Sequence, residues 1–556
     1  MNPVYFTSGF YLIAVVLCLL ALARRGSYER LVSSIESRFA HFAARPIAAV
    51  VTLFLAVFLL RGALLPLLPV PTPELHDEFS FLLLSDTIAH GRLTNPTPPL
   101  YKSFETFHEN MYPTYCSKYA PAQGFALAFG EKLGNPWIGV LLTCSLMIGL
   151  FHWALRAWMP ARWSFLAAIL VALKLGLTSY WMNSFWGGAV AASAGALALG
   201  GLGRILRNRP SLGAALALGA GIALLANSRP YEGLIFSIPV GALFLKWLAG
   251  KAKSVPPISF RVKKVLLPAS AVFIVGIAFV GYYNWRTTGS PRTFAMSLNQ
   301  KFYDPSAIFL WETPAAPMPH NNPQFDDFYN RWQRNLYGHN WADIKKIFDR
   351  KVRVFARTYL WWDLLLLLPA LYFLSRRRKL FPLYAALLFT VGAFFSLAWT
   401  LPHYVAPAIC VVFAIFVTAM RHLRLFKIRG YALGLFFARL VVLGLFLQTA
   451  NAVVTGNEDP LDLGGVRMES RVEAIRKLEA IPGKHLVFVR YAKDHIAHRE
   501  WVFNGADIEG SKIVWARELD AEQNQRVIEH FRDRKIWYIE ADRFLAPPQP
   551  YAPRTN

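Results

Sequence analysis

Long apolar runs limit what this chain can fold into. About twelve stretches are apolar over the roughly 17–25 residues that a helix needs to cross a bilayer. They lie near residues 5–23, 47–69, 136–155, 163–181, 187–203, 212–228, 232–249, 265–284, 358–374, 380–399, 403–420 and 432–453. Of 556 residues, 55% are hydrophobic and only 17% charged, more apolar surface than a water-soluble core would hide. The expected fold is mainly α, a polytopic transmembrane helix bundle.

The net charge of +25 raises the question of nucleic acid, and its distribution answers it. Arg and Lys gather in alternate short connections, as in Arg204, Arg207 and Arg209, or Arg376, Arg377, Arg378 and Lys379. Basic alternate loops are what the positive-inside rule requires of cytoplasmic ones. The charge is therefore a topology signal, and no nucleic-acid partner is expected. Placing these loops inside puts the N-terminus outside, and twelve crossings return the C-terminus outside. The expected location is a multi-pass protein of the cytoplasmic membrane. Residues 1–46 supply an N-terminal helix and a basic loop, and 47–453 the main bundle with outer loops 70–135 and 284–357. Residues 454–556 form a soluble extracytoplasmic tail.

That tail reads as a small α/β domain. Helices are expected at 467–480 and 521–534, strands at 486–491, 512–516 and 536–539, with no glycine-rich phosphate loop. Of four cysteines, Cys18, Cys144 and Cys410 lie in apolar runs and only Cys116 in a loop, so no disulfide framework is expected. No histidine has metal-ligand spacing, so no metal site is assigned, although a divalent cation stays open.

The loop at 70–135 is longer than a simple connection needs. It opens on Asp77-Glu78, followed by a helical stretch ending near Gly91. A second helix, Pro121 to Leu133, closes at Gly134. Both helices read as amphipathic and suited to the membrane surface. The acidic pair has two readings. Acids favour a helix N-terminus and can cap it, and a carboxylate at the membrane edge can serve as a general base. Lys118-Tyr119-Ala120-Pro121 places a cation before a proline-started helix, fitted to a phosphate or to lipid headgroups. Arg229, an outer-edge cation, needs a partner: Glu232 or a phosphate. His403-Tyr404 stands at the outer end of a span, in place for packing or for titration. The Gly/Ala/Ser-rich run 187–203 belongs inside the bundle, where small residues let backbones approach.

Taken in order, these pieces resemble the GT-C class of integral membrane glycosyltransferases, the protein-mannosyltransferase and aminoarabinose-transferase branch above all. The resemblance rests on Asp77-Glu78, Lys118-Tyr119-x-Pro121, Arg229-Pro230-x-Glu232 and His403-Tyr404-x-x-Pro407, and covers roughly residues 47–453. It implies transfer of a sugar from a polyprenyl-phosphate donor to a glycan, lipid or protein acceptor. Asp77 would be the catalytic acid/base with Glu78 beside it. Lys118, Tyr119, Arg229, Glu232, His403 and Tyr404 would bind donor phosphate or substrate. The chain departs from the branch in its extra N-terminal span, in Asn183 where relatives place an acid, in His403 where arginine is usual, and in its tail. Three other functions compete. A transporter or flippase calls for paired charges at mid-membrane, and here the apolar runs are nearly free of acids, with Lys174 as an exception and Asp363 near a span start. A polysaccharide ligase or polymerase would rest more on outer arginines and histidine. A wall-binding subunit would leave the elaborate first loop unexplained.

Overall fold

The computed structural model describes residues 25–207, 209–252, 255–334, 336, 341–359, 378–427, 432–456 and 468–553. The expected span 5–23 and most of 358–374 lie outside the described residues, as do Cys18 and Asp363. Each of the other ten expected spans is helical. Seven helices among the described residues are long and apolar enough to cross a membrane: α2 (Pro46–Ala63), α5 (Pro136–Leu155), α7 (Ala189–Leu206), α9 (Pro230–Leu248), α10 (Ile258–Thr288), the helical stretch Pro402–Leu423, and α15 (Leu433–Thr455). The remaining three are shorter: α6 (Ala161–Leu175), α8 (Leu212–Ala226) and α13 (Phe381–Ser396). The span expected at 47–69 is shorter in the structure. Its helix stops at Ala63 because the chain turns through Pro66 and Pro69, where the carbonyls of Leu68 and Pro69 bond back to Arg61. The basic segment after the first expected span is itself a helix, α1 (Arg25–Ala43). Its Phe39 and Phe42 pack edge-on against Phe165 of α6, and Glu29 and Glu36 pair with Arg439 of α15.

The small-residue helix α7 sits at the centre of the bundle, as its composition predicts. A Cβ on Gly195 would lie 1.8 Å from the Pro407 carbonyl oxygen, and one on Gly221 2.5 Å from that of Ala194. Backbones this close exclude any side chain, and inside a membrane such van der Waals contact replaces the hydrophobic drive that water supplies elsewhere. The contact at Gly195 fixes the 3-10 segment Pro402–Ala408, and with it His403 and Tyr404.

In the first outer loop the two helices form where expected, α3 (His76–Ala89) and α4 (Ala122–Lys132). Between them a two-residue antiparallel ladder pairs β1 (Glu109–Asn110) with β2 (Cys116–Ser117). Helix α3 is not a surface helix. His76, Glu78, Phe79, Phe81, Leu83 and Leu84 are all buried, because α4 covers one side and the C-terminal tail another. An apolar helix face shown to water is unstable, and here two partners remove it.

The tail holds a four-stranded sheet of order β4 (Ile513–Arg517), β3 (His485–Arg490), β5 (Lys535–Glu540), β6 (Gln549–Pro550). The first three strands are parallel and β6 is antiparallel. Helices α16 (Glu469–Glu479) and α17 (Ala521–His530) flank it. Strand β3 is buried on both faces, as a central parallel strand is. Its alternate residues enter two apolar clusters. Val487 and Val489 join Phe79, while Leu486 and Phe488 join Leu83, Phe104 and Tyr115. Phe79 stacks on Phe503 at 3.9 Å, and the Ala506 N–H donates to Asp86 of α3 at 2.7 Å. The sheet thus shares its core with the first loop.

A buried ion pair ties the tail to both outer segments. The Arg517 guanidinium donates to Glu500 at 2.5 Å, to the Glu105 carbonyl at 3.2 Å and to Gln324 at 2.8 Å. Burial pushes the Glu500 carboxyl up, but Arg517, the Tyr491 hydroxyl and the Val502 N–H outweigh it and hold it below its ordinary 4.5. Arg517→Ala leaves that carboxylate buried without its cation, so a loss of about 3–5 kcal/mol is expected in detergent unfolding of the purified protein. With the folded pKa depressed, the pair's contribution is complete above about pH 4.5. It is lost as pH falls through the folded value, so the wild-type advantage over the variant shrinks in acid.

Candidate functional site

Asp77 sits in the first turn of α3, two residues past the position that caps it. The cap position belongs to Leu75, and Glu78 supplies the capping carboxylate. Asp77 is left to face the loop. Its Oδ1 accepts from the Tyr119 hydroxyl, and its Oδ2 lies 3.8 Å from His108 Nε2. Lys118 Nζ donates to His108 Nδ1 at 2.7 Å. Burial pushes the Asp77 carboxyl up, while Lys118, the Tyr119 hydroxyl and Arg229 pull against it and leave a net rise. Burial also drives the Lys118 ammonium down, opposed by Asp77 and Asp304. A carboxylate, a tyrosine and a lysine from chain positions about 40 residues apart therefore meet in one place. The loop that delivers Tyr119 is held from below: its carbonyl accepts from the Tyr283 hydroxyl at 3.0 Å, and its ring stacks on Phe81 at 4.4 Å.

Glu78 points the other way. Its Oε1 accepts from the N–H groups of Glu74 and Leu75 at 3.2 and 3.3 Å, and its Oε2 from that of Phe185 at 3.1 Å. Burial pushes this carboxyl up to about 7, against three backbone donors that favour the ionised form. The capping reading of the acidic pair thus fits Glu78 and not Asp77. The bonded turn, residues 179–186, is also held by Arg61, which donates to Asn183 Oδ1 at 2.9 Å and lies over the Trp137 ring at 4.7 Å. Asn183, the position where the chain departs from the branch it resembles, is a neutral acceptor for a buried arginine.

Arg229 precedes α9, with its guanidinium 5.3 Å from the centroid of the Tyr404 ring. Its charge reaches Asp77, Tyr119 and Glu232. Glu232 is buried one turn into the same helix. His403 lies deeper and is fully buried. The Tyr180 hydroxyl meets its Nδ1 at 3.2 Å, Trp186 packs on its ring at 4.9 Å, and its Nε2 has no hydrogen-bond partner among the described residues. The structure thus gathers Asp77, Lys118, Tyr119, Arg229 and Tyr404, sets Glu232 and His403 behind them, and turns Glu78 away.

Sequence reasoning passed over three contributors. His108 carried no metal-ligand spacing, and its left-handed backbone (φ 64°) leaves no mark in the sequence. His76 donates through Nε2 to the Ala497 carbonyl at 2.9 Å and stacks between Phe107 and His498. His498 reaches over from the tail and stands edge-on to Trp332 at 4.4 Å. Among the described residues, Asp86, His90 and Glu131 have ligand atoms close enough to share an ion. They lie at the far end of α3, where the Ala506 N–H and the Ser85 hydroxyl already occupy two of the carboxylates.

No family model matches the chain, and neither does any curated protein. Among solved structures it is similar to ArnT from Cupriavidus metallidurans bound to undecaprenyl phosphate, with TM-score 0.49 and 12% identity over 86% of this chain and 90% of that one. It is also similar to the Archaeoglobus fulgidus oligosaccharyltransferase in the apo form, with TM-score 0.41 and 11% identity over 80% of this chain. There the chain spans only 62% of the other's length. For AglB from the same organism, in complex with an inhibitory peptide and a dolichol-phosphate, the TM-score is 0.39 and the identity 12%, over 87% and 69% of the two chains.

Removing the Glu78 carboxylate strips three backbone N–H groups of their acceptor. Glu78→Ala is expected to lower stability by about 1–3 kcal/mol in thermal unfolding, with Glu78→Gln recovering part of the loss.

Proposed function

We propose that the protein is an integral membrane glycosyltransferase. It moves a sugar from a polyprenyl-phosphate carrier to a glycan, lipid or protein acceptor at the outer face of the cytoplasmic membrane. The observation that carries this reading is the meeting of a partly buried carboxylate, Asp77, with two cations, Lys118 and Arg229, that come from separate segments. Transfer from a phosphate carrier needs that pair of features. Asp77 takes the proton of the acceptor nucleophile as it attacks the anomeric carbon, and the bond from that carbon to the phosphate oxygen breaks. Lys118 and Arg229 hold the phosphate as it leaves with its added charge. A base displaced from water is a stronger base, and the upward shift at Asp77 has the right sign.

In this reading Tyr119 orients Asp77 through Oδ1, and Tyr404 with Arg229 borders the donor phosphate. His403 and Glu232 support that side from behind. Glu78 positions the Asp77 helix against the 179–186 turn and takes no proton. The basic connections face the cytoplasm, so the first loop and the tail face outward. The outer segments and the tail then stand where an acceptor would approach.

Transfer of labelled sugar from a polyprenyl-phosphate donor in purified membranes tests the assignment. Asp77→Asn should lower the rate by about 100-fold or more, since a positioned base contributes at least that much. Its unfolding temperature should stay near wild type. Lys118→Gln should act chiefly on the donor concentration needed for half-maximal rate. A folded Asp77→Asn protein that keeps its rate would strip Asp77 of this role.

A further inference from the structure

The Lys118–His108–Asp77 chain serves no purpose in the reading above that Lys118 and Asp77 would not serve alone, yet the protein maintains it at a cost. His108 holds a left-handed backbone (φ 64°), uncommon for any residue but glycine even though His, Asn and Asp enter it more often than the rest. Its carbonyl accepts from the Ser80 hydroxyl at 2.7 Å and the Lys118 N–H at 3.1 Å, which locks that conformation. The ring is thereby set between a cation and an anion. Lys118 has only protons to give, so Nδ1 is the acceptor and Nε2 carries the hydrogen, turned toward Asp77 Oδ2 at 3.8 Å. The other titratable groups around the ring are His76 of α3, Tyr119 after β2, Tyr329 of the segment Asp326–Gln333 and His498 of the tail. Asp304 faces Lys118.

Resting on the phosphate site proposed above, we infer that His108 is a positioning residue that couples phosphate binding to proton uptake beside the base. When a phosphate anion engages Lys118, the Lys118 N–H to Nδ1 bond breaks and an N–H to phosphate oxygen bond forms. The freed Nδ1 lone pair takes one proton from solvent, and the imidazolium then lies between the bound phosphate and Asp77. The consequence for the reaction is electrostatic. An anion arriving at Lys118 cancels the charge that helps keep Asp77 ionised, and would protonate the base just when it is needed. The imidazolium restores that positive charge. In the free protein, burial, Lys118, His76 and His498 together hold the His108 ring well below its ordinary range, so the proton is absent before binding.

The test is calorimetric titration of purified protein with farnesyl methyl phosphate, a prenyl phosphodiester that does not itself titrate near neutrality. Run near pH 6.5 in buffers of different ionisation enthalpy, it reads protons bound per phosphate. Wild type should take up a substantial fraction of one proton, approaching about one as pH is lowered. His108→Asn, chosen because Asn tolerates the left-handed backbone, should bind the probe and take up none. Asp77→Asn, which removes one of the two anions that flank the imidazolium, should lower the uptake and keep part of it. Absent uptake in wild type, unchanged uptake in His108→Asn, or uptake lost only in Asp77→Asn would each overturn the coupling. Wild-type affinity in Lys118→Gln, or no binding by wild type, would instead overturn the phosphate site on which it rests. His108→Gln, with its unfolding temperature measured alongside, separates loss of the imidazole from a failure to fold.

Discussion

The geometry of this protein depends on burying one short helix from every side. Helix α3 carries Asp77, and nothing in its own sequence holds it rigid: it is fourteen residues long, and isolated helices of that length are marginal in water. Its order comes from what covers it. Phe79 stacks on the tail, Phe81 stacks on Tyr119, and Leu84 packs toward Gly124 of α4, where a Cβ would come within 2.3 Å of it. Each contact turns a different face of the helix into core, so the residues of its first turn have little freedom to rotate.

Two buried charges convert that packing into alignment. Glu78 bonds the helix start to the 179–186 turn, and Arg61 bonds the same turn to the end of the first described span. Ion-dipole bonds of this kind are directional where apolar contact is not, and inside a low-dielectric core they are expensive to leave unmade. The position of Asp77 relative to the bundle is therefore set by neighbours that never approach the proposed substrate.

Much of this was legible in the sequence. Apolar run length located the helices, the small-residue composition of α7 placed it at the centre, and the alternation of helix-like and strand-like stretches marked the tail as α/β. The short motifs at 77, 118, 229 and 403 marked the segments that converge. What the sequence left undecided was direction. Adjacent carboxylates at 77 and 78 point about one third of a turn apart on a helix, and only tertiary contact says which meets Tyr119 and which meets a backbone. The surface-helix expectation for α3 failed for the same reason, because local amphipathicity is blind to a cover that arrives from the far end of the chain. His108 was overlooked because its importance lies in a backbone conformation and two neighbours, neither of which has a residue pattern.

That cover has a bearing on the order in which the molecule is made. His76 bonds to a carbonyl 421 residues further along, and Phe79 waits for Phe503. During synthesis the first loop is delivered well before its roof, which lies 421 residues further along at Ala497. A truncated or stalled product would hold every helix of the bundle and every proposed substrate contact, and still lack the surface that fixes the first turn of α3. Copies that lack the tail would then leave the first turn of α3 without the contacts that hold Asp77 in place.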